Sequence, residues 1–277
     1  MHSADDSRTA LRNTAPMRTK LAFCLFLILT ACGSGPRPDA AALPSGKVTA
    51  PNFGDAKPHD WQGRAPSAYS VHGIDTSRWQ GRVDWATARA NGVNFAFLKA
   101  TEGGDLLDPA FAENWDAAAR AGVPRGAYHF WYHCRPAAEQ ARWFIKHVPR
   151  EAGALPPVLD MEWTPFSPTC TVRPAPDVIR AEARIFLDAL EAHYGQRPIL
   201  YSAPDFFEQN QMWRLERTEF WLRSVAAHPQ DLYAGRHWTF WQYTGTGSVP
   251  GVRGNSDINV FSGSSAQWAD WLSRRAR

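Results

Sequence analysis

The run Pro157-Val-Leu-Asp-Met-Glu162 ends on two carboxylates placed two residues apart. Side chains alternate across an extended strand, so Asp160 and Glu162 share one side and Met161 takes the other. Carboxylates on one side repel, and one of them rises in pKa until it can hold a proton near neutral pH. A proton donor beside a fixed negative charge is the equipment for breaking an acetal such as a glycosidic bond. Taken alone, an Asp-x-Glu at a strand end is more often solvated surface. Its surroundings decide between the two readings.

Those surroundings are eight short apolar runs, each with a polar or ionisable residue at or next to its end. They are Val71–Asp75, Phe95–Lys99, Gly126–Phe130, Val158–Glu162, Ile199–Ser202, Phe220–Arg223, Thr239–Tyr243 and Asp257–Asn259. Helical stretches separate the early ones. Asp108-Pro109 reads as a cap with Pro in the first turn, Gly122 closes that segment, and Phe111, Trp115 and Ala118 form its inward stripe. Residues Ala137–Val148 read as a helix burying Trp143, Phe144 and Val148. A longer helix opens near Asp177 with Ile179, Ala183, Phe186, Leu190 and Tyr194 on one face. Strands alternating with helices imply a mainly parallel sheet, and eight of them an α/β fold of the (β/α)8-barrel type. After Ser202 the linkers are too short for full helices, so the barrel is expected to be irregular in its second half. The amphipathic end, Ser264–Arg277 with Trp268 and Leu272, is expected to pack on the outside.

Catalytic groups of such barrels sit where strands end. One rim is therefore expected to collect Asp75, Lys99, His129, Asp160, Glu162, Tyr201, Gln242 and Asp257. Several acids converging there are hard to explain structurally, because buried like charges cost free energy unless they have a task. Trp79, Trp131, Tyr132, Trp163, Trp241 and Tyr243 crowd the same ends. Singly each is better explained by core packing; together they suit a groove for sugar rings.

The ends of the chain are of a different kind. Residues 1–32 read as an extension and signal peptide, with basic Met17–Lys20 and the apolar run Leu21–Leu29, too short to span a bilayer. Leu29-Thr-Ala-Cys32 resembles a bacterial lipobox, which implies acylation of Cys32, and Met17 is the more natural start than Met1. Residues 33–70, rich in Pro, Gly and Ala, read as a flexible tether, and 71–277 as one catalytic domain of ordinary size. The formal charge is +3; with four basic and two acidic residues lost before Cys32, 26 basic and 25 acidic residues remain. Charge gives no case for nucleic acid. Cys134 and Cys170 each follow a predicted strand, and a disulfide between them and two free thiols are equally compatible with an exported chain. They lack paired zinc-site spacing, so neither a metal nor another cofactor is expected.

Five ordered blocks resemble glycoside hydrolase family 25, the lysozymes. These are Gly73-Ile-Asp-Thr-Ser-Arg-Trp-Gln-Gly81 with Asp84-Trp85; Phe97–Gly103 with Asp108-Pro109; Gly126–Phe130; Pro156–Glu162; and Trp241–Tyr243 with Val249–Val252 and Asp257–Phe261. The resemblance covers roughly residues 72–263. It implies cleavage of the β-1,4 bond between N-acetylmuramic acid and N-acetylglucosamine in peptidoglycan, with Glu162 as general acid and Asp160 on the substrate's N-acetyl group. Asp75 and Asp257 match the family's other active-site acids; Lys99, His129, Trp163, Tyr201, Gln242 and Tyr243 are expected to bind substrate. Glu102 is shared with the family and reads as structural. Thr76 and Arg223 depart from the family pattern, and Arg223 would recharge one end of the groove.

Two competing readings remain: a metal-dependent deacetylase using Asp75, His129, Asp160 and Asp257, and a tethered peptidoglycan-binding module without turnover. The expected setting is a monomeric lipoprotein on the membrane of the cell envelope, the outer membrane if there are two, with glycan strands as partner. The strand pair alone leaves retention and inversion both open; substrate assistance favours retention.

Overall fold

The computed structural model describes residues 46–233 and 235–275. Cys32, its lipobox and both candidate starts lie outside the described residues. Ten strands form one sheet: β1 (Gly54–Asp55), β2 (His72–Thr76), β3 (Ala96–Glu102), β4 (Leu106–Leu107) and β5 (Arg125–Phe130), followed by β6 (Val158–Met161), β7 (Ile199–Ser202), β8 (Glu219–Arg223), β9 (Phe240–Ser248) and β10 (Ser256–Phe261). Eight of them close a barrel in the order β2-β3-β5-β6-β7-β8-β9-β10, with β10 returning to β2. Each of the eight apolar runs lies on one of these strands. The helices are α1 (Trp85–Ala90), α2 (Phe111–Arg120), α3 (Ala137–His147), α4 (Pro176–Tyr194), α5 (Pro204–Gln209), α6 (Pro229–Leu232) and α7 (Ser265–Arg275). Those after β7 and β8 shrink to six and four residues, so the barrel is irregular in its second half as expected.

The last strand departs from a fully parallel barrel. β10 runs antiparallel to both β2 and β9, because a link as short as residues 249–255 reaches only an antiparallel neighbour; a parallel one needs a crossover of about a dozen residues or more. Asp257 therefore opens its strand rather than closing it, yet it pairs in register with Asp75. Reversal brings the start of this one strand to the rim where the others end.

Alternation sorts each strand into two faces. Phe97 of β3 stacks on Trp221 of β8 at 4.7 Å, and Tyr128 of β5 meets the same indole at 6.4 Å, contacts that cross the lumen. Ala96, Leu98, Ala127, Leu159, Leu200 and Leu222 face outward into a second core with Trp115, Phe144, Phe186 and Leu190 of the helices. The stripe predicted for α4 is buried throughout, and the helix stops at Gly195, whose φ of 74° suits a residue without a Cβ.

Several local expectations need correction. Helix α2 starts at Phe111, and Asp108 instead ties the preceding turn, accepting from Ala110 N at 2.9 Å and Arg78 N at 2.7 Å. Trp143 is only half-buried and donates its Nε1 to Leu106 O at 2.9 Å. Helix α7 does not lie on the barrel's side: Trp268 packs on Phe95 at 5.4 Å and Phe261 at 5.2 Å, and Trp271 on Phe240 at 5.4 Å. It plugs the end of the lumen opposite the acids.

The described part of the predicted tether, from residue 46 to 70, is not a free linker. β1 pairs with the far end of β9, Thr49 N donates to Asn94 Oδ1 at 2.8 Å, and Trp61 packs edge-on against Trp241 at 5.1 Å. Spaced aromatics and one edge pairing hold this extended segment, and neither leaves a hydrophobic period in the sequence.

Candidate active site

The inward faces of the strand ends bring Asp75, Lys99, Asp160, Glu162, Tyr201, Gln242 and Asp257 to one rim, with Arg223 among them. Asp75 sits in a net of amides. Its Oδ2 accepts from Gln242 Nε2 at 2.9 Å and Asn259 Nδ2 at 2.8 Å. Gln242 Oε1 in turn accepts from the Tyr201 hydroxyl at 2.9 Å, and Asn259 Oδ1 from Trp221 Nε1 at 2.7 Å. Tyr201 and Gln242 are thus buried, with their polar groups engaged in fixing Asp75. Burial, then the nearby charge of Asp257, holds Asp75 well above the ordinary carboxylate range against the pull of its two amide donors.

Asp160 is also buried and pushed well up, first by burial and then by the Glu162 charge. Its Oδ1 has no hydrogen-bond partner among the described residues. Such an atom costs free energy unless something else supplies a donor. Glu162 follows β6 directly. Burial raises its pKa, opposed by the Arg223 and Lys99 charges and supported by Asp205 and Asp257. Both carboxyls of the β6 pair are thus shifted upward, chiefly by burial. Asp257 titrates at about 6, raised by burial and drawn down by Arg223.

Backbone and rim contacts place this pair. The Glu162 carbonyl accepts from His133 Nε2 at 3.0 Å, which requires that nitrogen to carry the proton. His133 stacks on Phe206 at 5.2 Å, and Phe206 meets Trp163 at 4.7 Å. Trp163 donates to Gln209 Oε1 at 2.8 Å and has the Arg173 guanidinium 4.6 Å from its ring centre. Cys134 and Cys170 are joined as a disulfide with Cα atoms 5.7 Å apart, which ties the loop after β5 to the loop that leaves Glu162. Lys99 Nζ donates to Glu102 Oε2 at 2.6 Å and lies 4.4 Å from the Phe130 ring centre. Glu102 also accepts from the Tyr132 hydroxyl, so it braces Lys99 and the β5 loop together.

Two predicted rim residues face the other way. His129 lies outside the barrel wall, stacked on Phe186 at 5.0 Å. Its Nε2 donates to Gln140 Oε1 at 3.0 Å and its Nδ1 accepts from the Thr101 hydroxyl at 2.7 Å, a neutral imidazole with both nitrogens satisfied. Burial drops its pKa to about 4. Tyr128, its neighbour, is the inward one, and the alternation Gly126/Tyr128/Phe130 against Ala127/His129 would have shown it. A metal set of Asp75, His129, Asp160 and Asp257 is therefore not assembled, since the imidazole and the carboxylates lie on opposite sides of the wall. Tyr243 likewise points outward, its hydroxyl 3.1 Å from His72 Nδ1. Trp131 and Trp241 are core residues. Trp79, 78% exposed, remains a flat apolar face beside the Arg78 guanidinium. Asn259 escaped notice in the sequence, although it stands two residues from Asp257 on the same face.

Both the sequence and the barrel have counterparts among known proteins. The family model for glycosyl hydrolases family 25 matches residues 74–252. The chain is 37% identical over 205 residues to the protein YegX of Escherichia coli strain K12, covering 72% of each chain. It is 34% identical over 212 residues to Lysozyme M1 of Streptomyces globisporus, covering 71% of this chain and 69% of that one. The structure superimposes on a family 25 glycosyl hydrolase from Bacillus anthracis with a TM-score of 0.67 and 31% identity, over 77% of this chain and 98% of the other. The chain belongs to glycoside hydrolase family 25. It is a glycoside hydrolase.

Proposed function

We propose that this enzyme is a lysozyme that cleaves the β-1,4 bond between N-acetylmuramic acid and N-acetylglucosamine in peptidoglycan. The observation that carries the reading is the pair at the end of β6: a carboxyl with raised pKa at Glu162 beside a buried Asp160 whose Oδ1 lacks a donor. Glu162 gives its proton to the leaving glycosidic oxygen. The N–H of the substrate's acetamido group supplies the donor that Asp160 lacks, which holds the acetamido carbonyl against the anomeric carbon. As the bond breaks, positive charge spreads over the acetamido group and Asp160 stabilises it. Attack from the same molecule and a second displacement by water give net retention. Lys99 adds positive charge beside Asp160, and the Asp75–Gln242–Tyr201 net holds the opposite wall. The likeness to Lysozyme M1 supports the same substrate.

The test is reducing-end release from purified sacculi. Fragments ending in reducing N-acetylmuramic acid are expected; N-acetylglucosamine ends would reassign the enzyme as a glucosaminidase, and no release would favour a binding module. The chain is further proposed to act as an exported, monomeric lipoprotein held to the envelope membrane through Cys32.

A further inference from the structure

A pocket of about 420 Å³ opens between the N-terminal segment and the ends of β8 and β9, walled by Lys57, Pro58 and Trp61 on one side and Arg223, Val225 and Thr246 on the other. Gly245 lines it too, and a Cβ built on Gly245 would stand 3.0 Å from Asp257 Oδ1. The pocket and the catalytic acids thus share a wall. Arg223 belongs to both: its charge acts on Glu162 and Asp257, and its side chain lines the pocket.

That guanidinium differs from the ones the fold holds in ion pairs. Arg125, Arg135 and Arg197 each reach a carboxylate within 3.0 Å. Arg223 makes no side-chain hydrogen bond to any described residue. Asp55 also faces the pocket, its Oδ1 turned to Thr246 Oγ1 at 2.6 Å and Lys57 N at 2.9 Å. Arg223 and Lys57 thus line one pocket with no side-chain hydrogen bond to any described residue. Guanidinium forks pair best with planar oxyanions.

We propose that Arg223, with Lys57 across from it, forms a carboxylate-binding subsite that makes the enzyme select glycan carrying a free carboxylate next to the cleaved bond. The proposal rests on the lysozyme reading given above. Muramic acid offers that chemistry in two forms: the lactyl carboxylate exposed when its peptide is removed, and the carboxylates of the peptide itself.

Three substrates distinguish the sources: intact sacculi, glycan stripped of peptide by an amidase, and stripped glycan whose carboxylates have been reduced to alcohols. One charge-assisted pair predicts that the native enzyme prefers an acid-bearing substrate over the reduced glycan by about 10- to 100-fold in kcat/KM. Preference for stripped over reduced glycan assigns the lactyl group; preference for intact sacculi alone assigns the peptide. Arg223→Ala is expected to bring the ratio near unity, chiefly through KM. Lys57→Ala, at an exposed position, lowers it part of the way. Comparing ratios removes any general effect of Arg223 on the acids. No preference in the native enzyme, or a preference that survives both substitutions, overturns the proposal. Absence of cleavage on all three substrates overturns the lysozyme reading itself.

Discussion

Replacing Asp257 with Asn should make the folded protein more stable at pH 8 while impairing catalysis. Burial raises this carboxyl from 3.8 to about 6 even with Arg223 pulling it down. A carboxyl raised in the folded state favours folding when protonated, so its contribution is intact below the unfolded value and is lost as pH climbs through the folded one. Moving the midpoint from 3.8 to about 6 corresponds to about 3 kcal/mol once both states are ionised. Asn carries no charge to bury, so the variant escapes that cost. It also relieves Asp75, which the Asp257 charge pushes upward. The gain should be small at pH 4 and reach about 2–3 kcal/mol by pH 8, or roughly 5–10 °C in Tm for a domain of this size. Paired thermal and urea unfolding of both proteins at pH 4, 6 and 8 measures it. An equal gain at pH 4 and pH 8, or none at either, would refute the argument that these acids are held in the fold at a cost.

Glu162→Gln keeps the shape without the proton and should lower the rate on sacculi by about 10²- to 10⁴-fold with an unchanged unfolding curve; retention of a tenth of the rate would place the acid elsewhere. Asp160→Asn should be comparably severe, and near-normal turnover would remove the acetamido from the mechanism. The product anomer, followed by NMR, should appear first as β; α first would mean inversion, with a base on the far side of the bond and room for water. Cys134→Ser with Cys170→Ser should cost about 2–4 kcal/mol of stability and raise the protease sensitivity of the two loops it joins. Cys32→Ser should move the protein out of the membrane fraction, and a native chain already recovered as soluble would defeat the lipid anchor.

The barrel was legible because a strand buried on both faces is a continuous apolar run, and eight of them stand apart from the linkers. Direction was less visible. Nothing within Asp257–Asn259 states which way it runs; only the shortness of the link before it does. The acids were legible for the same reason as the strands, since a carboxylate at the end of an apolar run is conspicuous. His129 and Tyr243 stand at strand ends but on the outward parity, which position along the strand does not reveal. The segment from 46 to 70 and the plug formed by Trp268 and Trp271 are set by tertiary partners, which local patterns do not name.

Parity also explains how the site tolerates its own charges. On β10 the inward residue below the acid is a partner rather than a filler: Asn259 below Asp257 donates to Asp75, and Trp221 of β8 donates to Asn259 in turn. Reversing β10 puts Asp257 opposite Asp75, so the strand that adds a second like charge also supplies one of the two amides that Asp75 accepts. A parallel eighth strand ending on the same residues would have raised Asn259 to the rim and sunk Asp257 toward the aromatic floor. The antiparallel turn keeps the amide deep, where it steadies a buried carboxylate, and the acid shallow, where substrate can reach it. Asp160 is the exception, buried with one oxygen left open. Asp75 holds two amide donors and Asp160 has none on its Oδ1, and that contrast is what the Asp160→Asn substitution puts to the test.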